Sequence, residues 1–277
     1  MQPTQVEFKI IYQFIHQAEM RYHSTLHSAF IVVGSELITV YVVDDSQNQM
    51  LVIQQFQLFT KLSNRRGQLI QKVLLSLPWF ETLKLKTEFI HLHHQFLLVP
   101  EALHQSAPEI DWLKYMHHST LTYKLNTEVV SEGIRLCWHD FQNDIEFINQ
   151  FEKGMKHSHI AQKLLTQSLK LFRKAIHIVL YENNVFACVN DGNSPVLVNT
   201  FTFENDDELC FWIMNLYRQF EINPESEPLN VSAGLDFDSA MHKNFLRFIR
   251  YIEFKNYDDI TNELAIHEAF YHLLAEQ

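Results

Sequence analysis

The 277-residue chain is predicted to be an α/β protein of two tandem units, each a mixed five-stranded sheet with flanking helices. Two observations carry this. The first is an order of elements that occurs twice: an apolar strand, a tight turn, two more strands parted by a polar break, a helix-spaced stretch, a proline and a further strand. In the first copy these are residues 30–33, the turn Gly34-Ser35-Glu36, 37–43, a break at 44–49, 50–58, 65–77, Pro78 and 87–92. In the second they are 176–181, the turn Glu182-Asn183-Asn184, 185–189, a break at 190–194, 195–203, 206–221, Pro224 and 229–231. Spacing agrees between the copies and residue identity hardly does. The second observation is size, since the chain exceeds a typical domain of ~100–150 residues. With 47% apolar residues and 22 phenylalanines it can fill two cores. Domains at 1–170 and 171–277 are expected.

Residues 1–25 alternate apolar and polar groups through Val6, Phe8, Ile10 and Tyr12, the pattern of an extra edge strand or lead-in arm. Residues 26–58 read as a three-stranded antiparallel meander, because runs rich in Val and Ile are parted first by the Gly34 turn and then by a polar loop. Ser63 or Asn64 can cap the next helix, whose Leu69, Ile70, Val73, Leu74 and Leu77 form one apolar stripe ending before Pro78. A strand with the run His91-Leu92-His93-His94 follows, then a strand at 96–99 and a short helix after Pro100. Between 109 and 132 the pattern weakens to a local insertion with 122–130 extended. Asp140 caps an expected helix that Gly154 closes in a left-handed conformation. Residues 157–173 carry a helical pattern and are expected to connect the halves. In the second half, Asn205 and Glu208 form a capping box for the helix bearing Leu209, Ile213, Leu216, Tyr217 and Phe220. A strand at 229–231, a helix over 238–250, a strand at 251–254 and a C-terminal helix with Leu264, His267, Tyr271 and Leu274 on one face complete the pattern.

Composition excludes several classes. The net charge of −11 produces a field that repels phosphate backbones, which argues against nucleic acid and anionic membranes as partners. The short basic clusters Arg65-Arg66, Lys84 with Lys86, and Arg173-Lys174 read as solvated helix ends or strand edges. Cys137, Cys188 and Cys210 are odd in number, widely spaced and set among apolar neighbours, as buried thiols in a reducing compartment are. The N-terminus lacks a basic start followed by an apolar run, and no stretch reaches the ~18 uncharged apolar residues of a membrane span. A cytoplasmic protein is expected.

The doubled order of three strands, helix, strand, helix, strand, helix resembles the actin-like ATPase fold shared by actin, sugar kinases and chaperone ATPases, whose two domains are ribonuclease H-like. More narrowly, the segments NTFTFENDDELCFWIMNLYRQFEI, LNVSAGL and LRFIRYIEF, with FLLVPEAL in the first half, resemble an uncharacterised protein family found across Bacteroidetes. The resemblance runs from about Leu26 to the C-terminus. It implies an actin-like fold and no assigned activity.

ATPases of that superfamily hold phosphates between two hairpin turns whose glycines admit backbone N–H groups and whose Asp organises Mg²⁺ or water. Here the six glycines include no adjacent pair and no G-x-G, so contiguous residues build no glycine-rich phosphate cradle. Gly34-Ser35-Glu36 stands where Asp-x-Gly is expected. Glu182-Asn183-Asn184 brings a carboxylate and two bulky side chains to the second turn. Both replacements oppose a triphosphate. Ser232-Ala233-Gly234 resembles the adenosine-side glycine motif in a single-glycine version, though a plain strand-to-helix turn accounts for it as well. Asp44-Asp45 and Asp206-Asp207-Glu208 are the candidate metal-organising carboxylates. The first pair reads more simply as a turn, the second as acids in the first turn of a helix, where its dipole favours them. The candidate cofactor-contacting residues are therefore Asp44, Asp206, Ser232 and Gly234.

Sixteen histidines raise the question of a metal. Alternation puts His91 and His93 on one face of a strand and His94 on the other, and a zinc site needs a third ligand from His117, His118, His157 or His159. Without a paired cysteine or an H-E-x-x-H helix, scattered histidines are more often surface or partly buried residues. His267-Glu268 with His272 is one residue too long for a zincin helix, placing the rings about 140° apart. Cys137 and His139 share a side of one strand by alternation alone, and no G-x-S-x-G turn occurs. No catalytic residue, metal or cofactor is assigned. The sequence is read as a non-catalytic scaffold that binds another protein through a fold whose nucleotide site has degenerated. The alternative is a divergent ATP-binding switch or kinase-like protein with altered phosphate loops, and a third class is a metal-dependent enzyme using the His91 and His93 region.

Overall fold

The computed structural model describes residues 8–16, 21–47, 49–59, 66–107, 112–117, 125–131, 133–139, 155–170, 173–233, 239–254, 267, 270, 271, 273 and 274. They fall into two compact units that divide between His159 and Ile160.

In the first unit β1 (Phe8–Ile15), β2 (His27–Val33), β3 (Leu37–Asp44) and β4 (Gln49–Leu58) lead into α1 (Arg66–Ser76), a single turn α2 (Phe80–Leu83) with a 3-10 turn behind it, and β5 (Thr87–His91). An insertion follows, comprising β6 (Phe96–Pro100), α3 (Glu101–Ser106), α4 (Trp112–His117), β7 (Leu125–Ser131) and β8 (Ile134–His139), before β9 (Lys156–His159). The main sheet runs β1-β4-β3-β2-β5-β9, and the insertion forms its own sheet, β6-β8-β7. The edge strand expected near the N-terminus is β1, antiparallel to β4. Alternation in β2 and β5 sends Ala29, Ile31, Val33 and Phe89 to one face, where α1 lays Leu69, Ile70, Val73 and Leu74 on them to build the first core. Helix α1 stops at Ser76, two residues before Pro78, whose ring disfavours a helical residue ahead of it.

The helix expected over 157–173 is divided. Residues 156–159 are strand β9, held by parallel pairing with β5, and the helix is α5 (Ile160–Leu169). Because α5 packs on the second sheet, the second unit begins with it, ahead of the boundary expected at 170. Then come β10 (Lys174–Tyr181), β11 (Asn184–Asp191), β12 (Pro195–Thr202), α6 (Asp206–Gln219), β13 (Leu229–Ala233), α7 (Ala240–Phe245) and β14 (Ile252–Phe254). The sheet order is β12-β11-β10-β13-β14. That is the order of β4-β3-β2-β5-β9, so the repeat read in the sequence is a repeat of topology. Helix α6 is capped as expected, with Asn205 Oδ1 accepting from the N–H of Glu208 at 2.9 Å; the Glu208 carboxylate accepts from Glu204 N–H at 2.8 Å. Its C-terminus closes with Ile222 N–H donating to Tyr217 O (2.9 Å), around Glu221 at φ +51°. The long helix expected over 238–250 is shorter, with α7 giving way to turns after Phe245. The predicted helix after Asp140, its Gly154 cap, and the Ser63 or Asn64 cap lie outside the described residues.

Candidate functional site

Ligands of open α/β sheets bind at the carboxyl ends of the parallel strands. In the first unit β2, β5 and β9 end at Val33, His91 and His159. Parallel register sets Phe89 beside His157 and His91 beside His159, so alternation turns all four side chains to one face. The His91 and His157 rings stack with centroids 5.5 Å apart, and His91 Nε2 lies 3.2 Å from His157 Nδ1. Just past the strand, His93 meets His159 edge-on at 4.9 Å, and the His93 carbonyl accepts from His159 Nε2 at 3.1 Å. The rings of Phe96 and Trp138 lie against His159 from the inserted sheet, at 4.9 and 6.1 Å.

This layer is dry. His91, His93 and His159 are 1%, 6% and 0% exposed, and burial pushes His93 well below the usual imidazole range and His159 down to about 3. His93 and His159 are therefore neutral at ordinary pH. Gln95 N–H donates to His93 Nδ1 at 3.1 Å, which leaves the proton of that ring on Nε2. His94 is exposed, in the bend that follows β5. Two of the four histidines named as possible third ligands, His157 and His159, do reach His91 and His93. His118 and the side chain of His117 lie outside the described residues. Among the described residues no group of three or more His, Cys, Asp or Glu side chains is arranged to hold a metal ion.

Arg66 corrects the reading of a solvated basic pair. It is the first residue of α1, 6% exposed, and its guanidinium donates to the carbonyl of Gly34. The N–H of Gly34 donates to Leu37 O at 2.9 Å, so both main-chain groups of the turn glycine are engaged within the protein. Glu36 is exposed, with its carboxylate accepting from Gln57 at 3.2 Å.

In the second unit the turn after β10 is two residues long, Glu182-Asn183, with Glu182 half-buried at φ +53°. The sheet face that receives α5 includes buried polar side chains bonded to that helix or to one another. Asn190 Nδ2 donates to Ser168 O at 3.0 Å, and Ser232 Oγ donates to Gln167 Oε1. Arg173 donates to Asn230 Oδ1 at 3.3 Å and to Glu253. Ser232 is thus fully buried and bonded to α5, while Gly234 lies outside the described residues.

The acidic candidates are engaged locally. Asp44 accepts from Ser46 N–H at 2.8 Å and Gln47 N–H at 3.1 Å, and the Ser46 hydroxyl above all holds its carboxyl below the usual range. It sits at the end of β3 remote from the Gly34 turn. Asp45 accepts from Ser28 Oγ at 2.6 Å. Asp206, Asp207 and Glu208 occupy the first turn of α6. Cys137 packs with Val99 and Leu113 as a core thiol. His267 is buried, and Glu268 and His272 are outside the described residues. What sequence reasoning missed is Arg66; the meeting of His91 with His157 was one of four possibilities it named, and the alternation of His157 and His159 in the tract 156–159 was the signal for it.

Comparisons with known proteins agree on architecture. A Bacteroides thetaiotaomicron crystal structure, described as a protein with actin-like ATPase fold and unknown function, superposes at TM-score 0.73 and 12% identity, over 91% of this chain and 97% of that one. The PilM–PilN type IV pilus biogenesis complex matches at TM-score 0.55 and 11% identity, over 83% and 88%. The ethanolamine utilization protein EutJ from Carboxydothermus hydrogenoformans matches at TM-score 0.50 and 6% identity, over 88% of each chain. No curated protein matches by sequence. The fold is the actin-like ATPase fold, two tandem ribonuclease H-like units of mixed sheet and flanking helices. Residues 21–252 match a family model described as "Protein of unknown function (DUF3822)", and the chain belongs to that family.

Proposed function

We propose that this is a non-catalytic protein of actin-like fold that acts by binding another protein, its nucleotide site having degenerated. The observation that carries the reading is the Arg66 guanidinium on the Gly34 carbonyl. A phosphate cradle needs free, convergent N–H donors at the turn. Here the turn glycine is closed on Leu37 and on Arg66. Glu182 at the second turn adds a carboxylate where a polyphosphate would need donors. Asp44 and Asp206, the carboxylates that a divergent ATP-binding switch would use, serve a turn and a helix start, which favours the non-catalytic reading over that alternative. The PilM–PilN complex is an instance of this fold in a protein assembly. Buried free thiols fit a reducing compartment such as the cytoplasm, and no helix among the described residues is long and apolar enough to cross a membrane. Isothermal titration with Mg-ATP tests the reading: silence at millimolar nucleotide is expected, and micromolar binding would replace it with the switch.

A further inference from the structure

We propose that the outer edge of β12 receives an extended strand of a partner protein, apolar at alternate positions and bearing a cation near its N-terminal end. This deepens the protein-binding reading and rests on it. The internal repeat supplies the argument. β12 is the counterpart of β4, the outermost strand of the first meander, and the outer edge of β4 is covered by β1, antiparallel from Phe8 opposite Leu58 to Ile15 opposite Val52. In the second sheet β12 is the terminal strand, and among the described residues no strand pairs with its outer edge. Among the described residues, one topological position is closed in the first unit and open in the second.

The open edge has a defined chemistry. Phe203 N–H donates to Asn183 O at 3.0 Å, so alternation directs the odd-numbered main-chain groups of β12 to β11 and those of Val198, Thr200 and Thr202 outward. Thr200 N–H is met by the side chain of its neighbour Asn199 at 2.9 Å, a local bond that an incoming carbonyl can replace. Edge strands are ordinarily guarded by charge, internal proline or a bulge. Pro195–Thr202 has no charged residue, and its one proline is at the first position. β1 carries Lys9 and a bulge between Ile10 and Tyr12, whereas the register irregularity of β12 is confined to its start, where Pro195 and Leu197 face Asn190 and Val189, and 197–202 run regular and uncharged. Apolar anchors adjoin the edge: Val196 is 45% exposed, and Phe201 stacks on Trp212 at 5.0 Å beside Phe211, itself 60% exposed. Glu204, Asp206 and Asp207 follow the end of β12, where an antiparallel partner places its N-terminus. Lys9 of β1 holds the matching place opposite Gln57, near the end of β4.

The probe is a synthetic peptide with the sequence of residues 8–16, titrated against the full chain by fluorescence anisotropy, with hydrogen–deuterium exchange followed over 195–203. Saturable binding that slows exchange there by about tenfold or more is expected, as strand addition protects outward amides. Thr200→Pro removes an N–H that is not bonded to β11 and should weaken binding by about tenfold or more, with the sheet retained. Val196→Lys, at an exposed position, gives the same result without a backbone change. Absence of protection at saturating peptide, or equal binding by both variants, overturns the proposal. A wild-type dimer that Thr200→Pro makes monomeric also overturns it, by assigning the edge to a second copy. The Mg-ATP titration stays separate: nucleotide binding with β12 protected ends only the earlier reading, whereas silent nucleotide with β12 unprotected ends only this one.

Discussion

Arg66 donates from its guanidinium to the carbonyl of Gly34, tying the first residue of α1 to the turn that follows β2. Helix and sheet of the first unit are thereby fastened at the end where the fold would otherwise open to a ligand. Replacing Arg66 by Ala leaves that carbonyl buried without its charged donor, and a loss of about 2–3 kcal/mol is expected in urea unfolding. Arg66→Lys should restore little of it, because an ammonium lacks the planar fork.

The histidine layer makes stability depend on acid. His93 and His159 bind protons far less readily folded than at their ordinary value of 6.5, with His159 down to about 3. The unfolded chain therefore takes up these protons first as pH falls, so their contribution is complete above pH 6.5 and is lost as pH falls below it, for His159 down toward about 3. Between pH 7 and pH 5 the loss is about 2 kcal/mol for His159, read from urea midpoints at the two pH values, and His93 adds to it in the same direction. His159→Phe should flatten that slope.

Glu221 occupies the left-handed position that closes α6, at φ +51°. Glycine takes that conformation without the clash of a Cβ, so Glu221→Gly should raise stability by about 1 kcal/mol. A melting temperature that falls instead would show that the Glu221 side chain matters more than its backbone.

At the other end of α6, Asn205→Ala removes the acceptor for Glu208 N–H and should cost about 1 kcal/mol in the same assay. Asn205→Ser should recover most of it.

Burial pushes the Cys188 thiol up to about 12 and Cys210 up to about 11. A thiolate-seeking disulfide reagent at pH 8 should leave the native chain unmodified and label all three cysteines once urea unfolds it. Rapid labelling of native protein would contradict the packing described for them.

The features legible in the sequence are those set by neighbours along the chain. The Gly34 and Glu182 turns, the stripe of α1 and the Asn205 cap each depend on a few adjacent residues, and each is found where expected. β9 was hidden because four residues become a strand only through parallel pairing with β5, more than sixty positions earlier, while the amphipathic pattern of α5 begins immediately after it. Arg66 was hidden for a related reason: a cation before a helix is solvated unless something folds over it, and that something is a turn thirty-two positions away. His91 and His157 were each visible as candidates, but only the register between β5 and β9 stacks one ring on the other.

The insertion between β5 and β9 also bears on how the chain assembles itself during synthesis. The second sheet recruits its last parallel strand across residues 234–251, the first across residues 92–155. Closing the longer span costs about 1 kcal/mol more chain entropy if it stays loose, which the folding of β6, β7 and β8 beforehand would reduce. A ribosome thus releases the first half in a form whose central sheet waits for a late tetrapeptide, while the second half can complete itself almost as soon as it emerges.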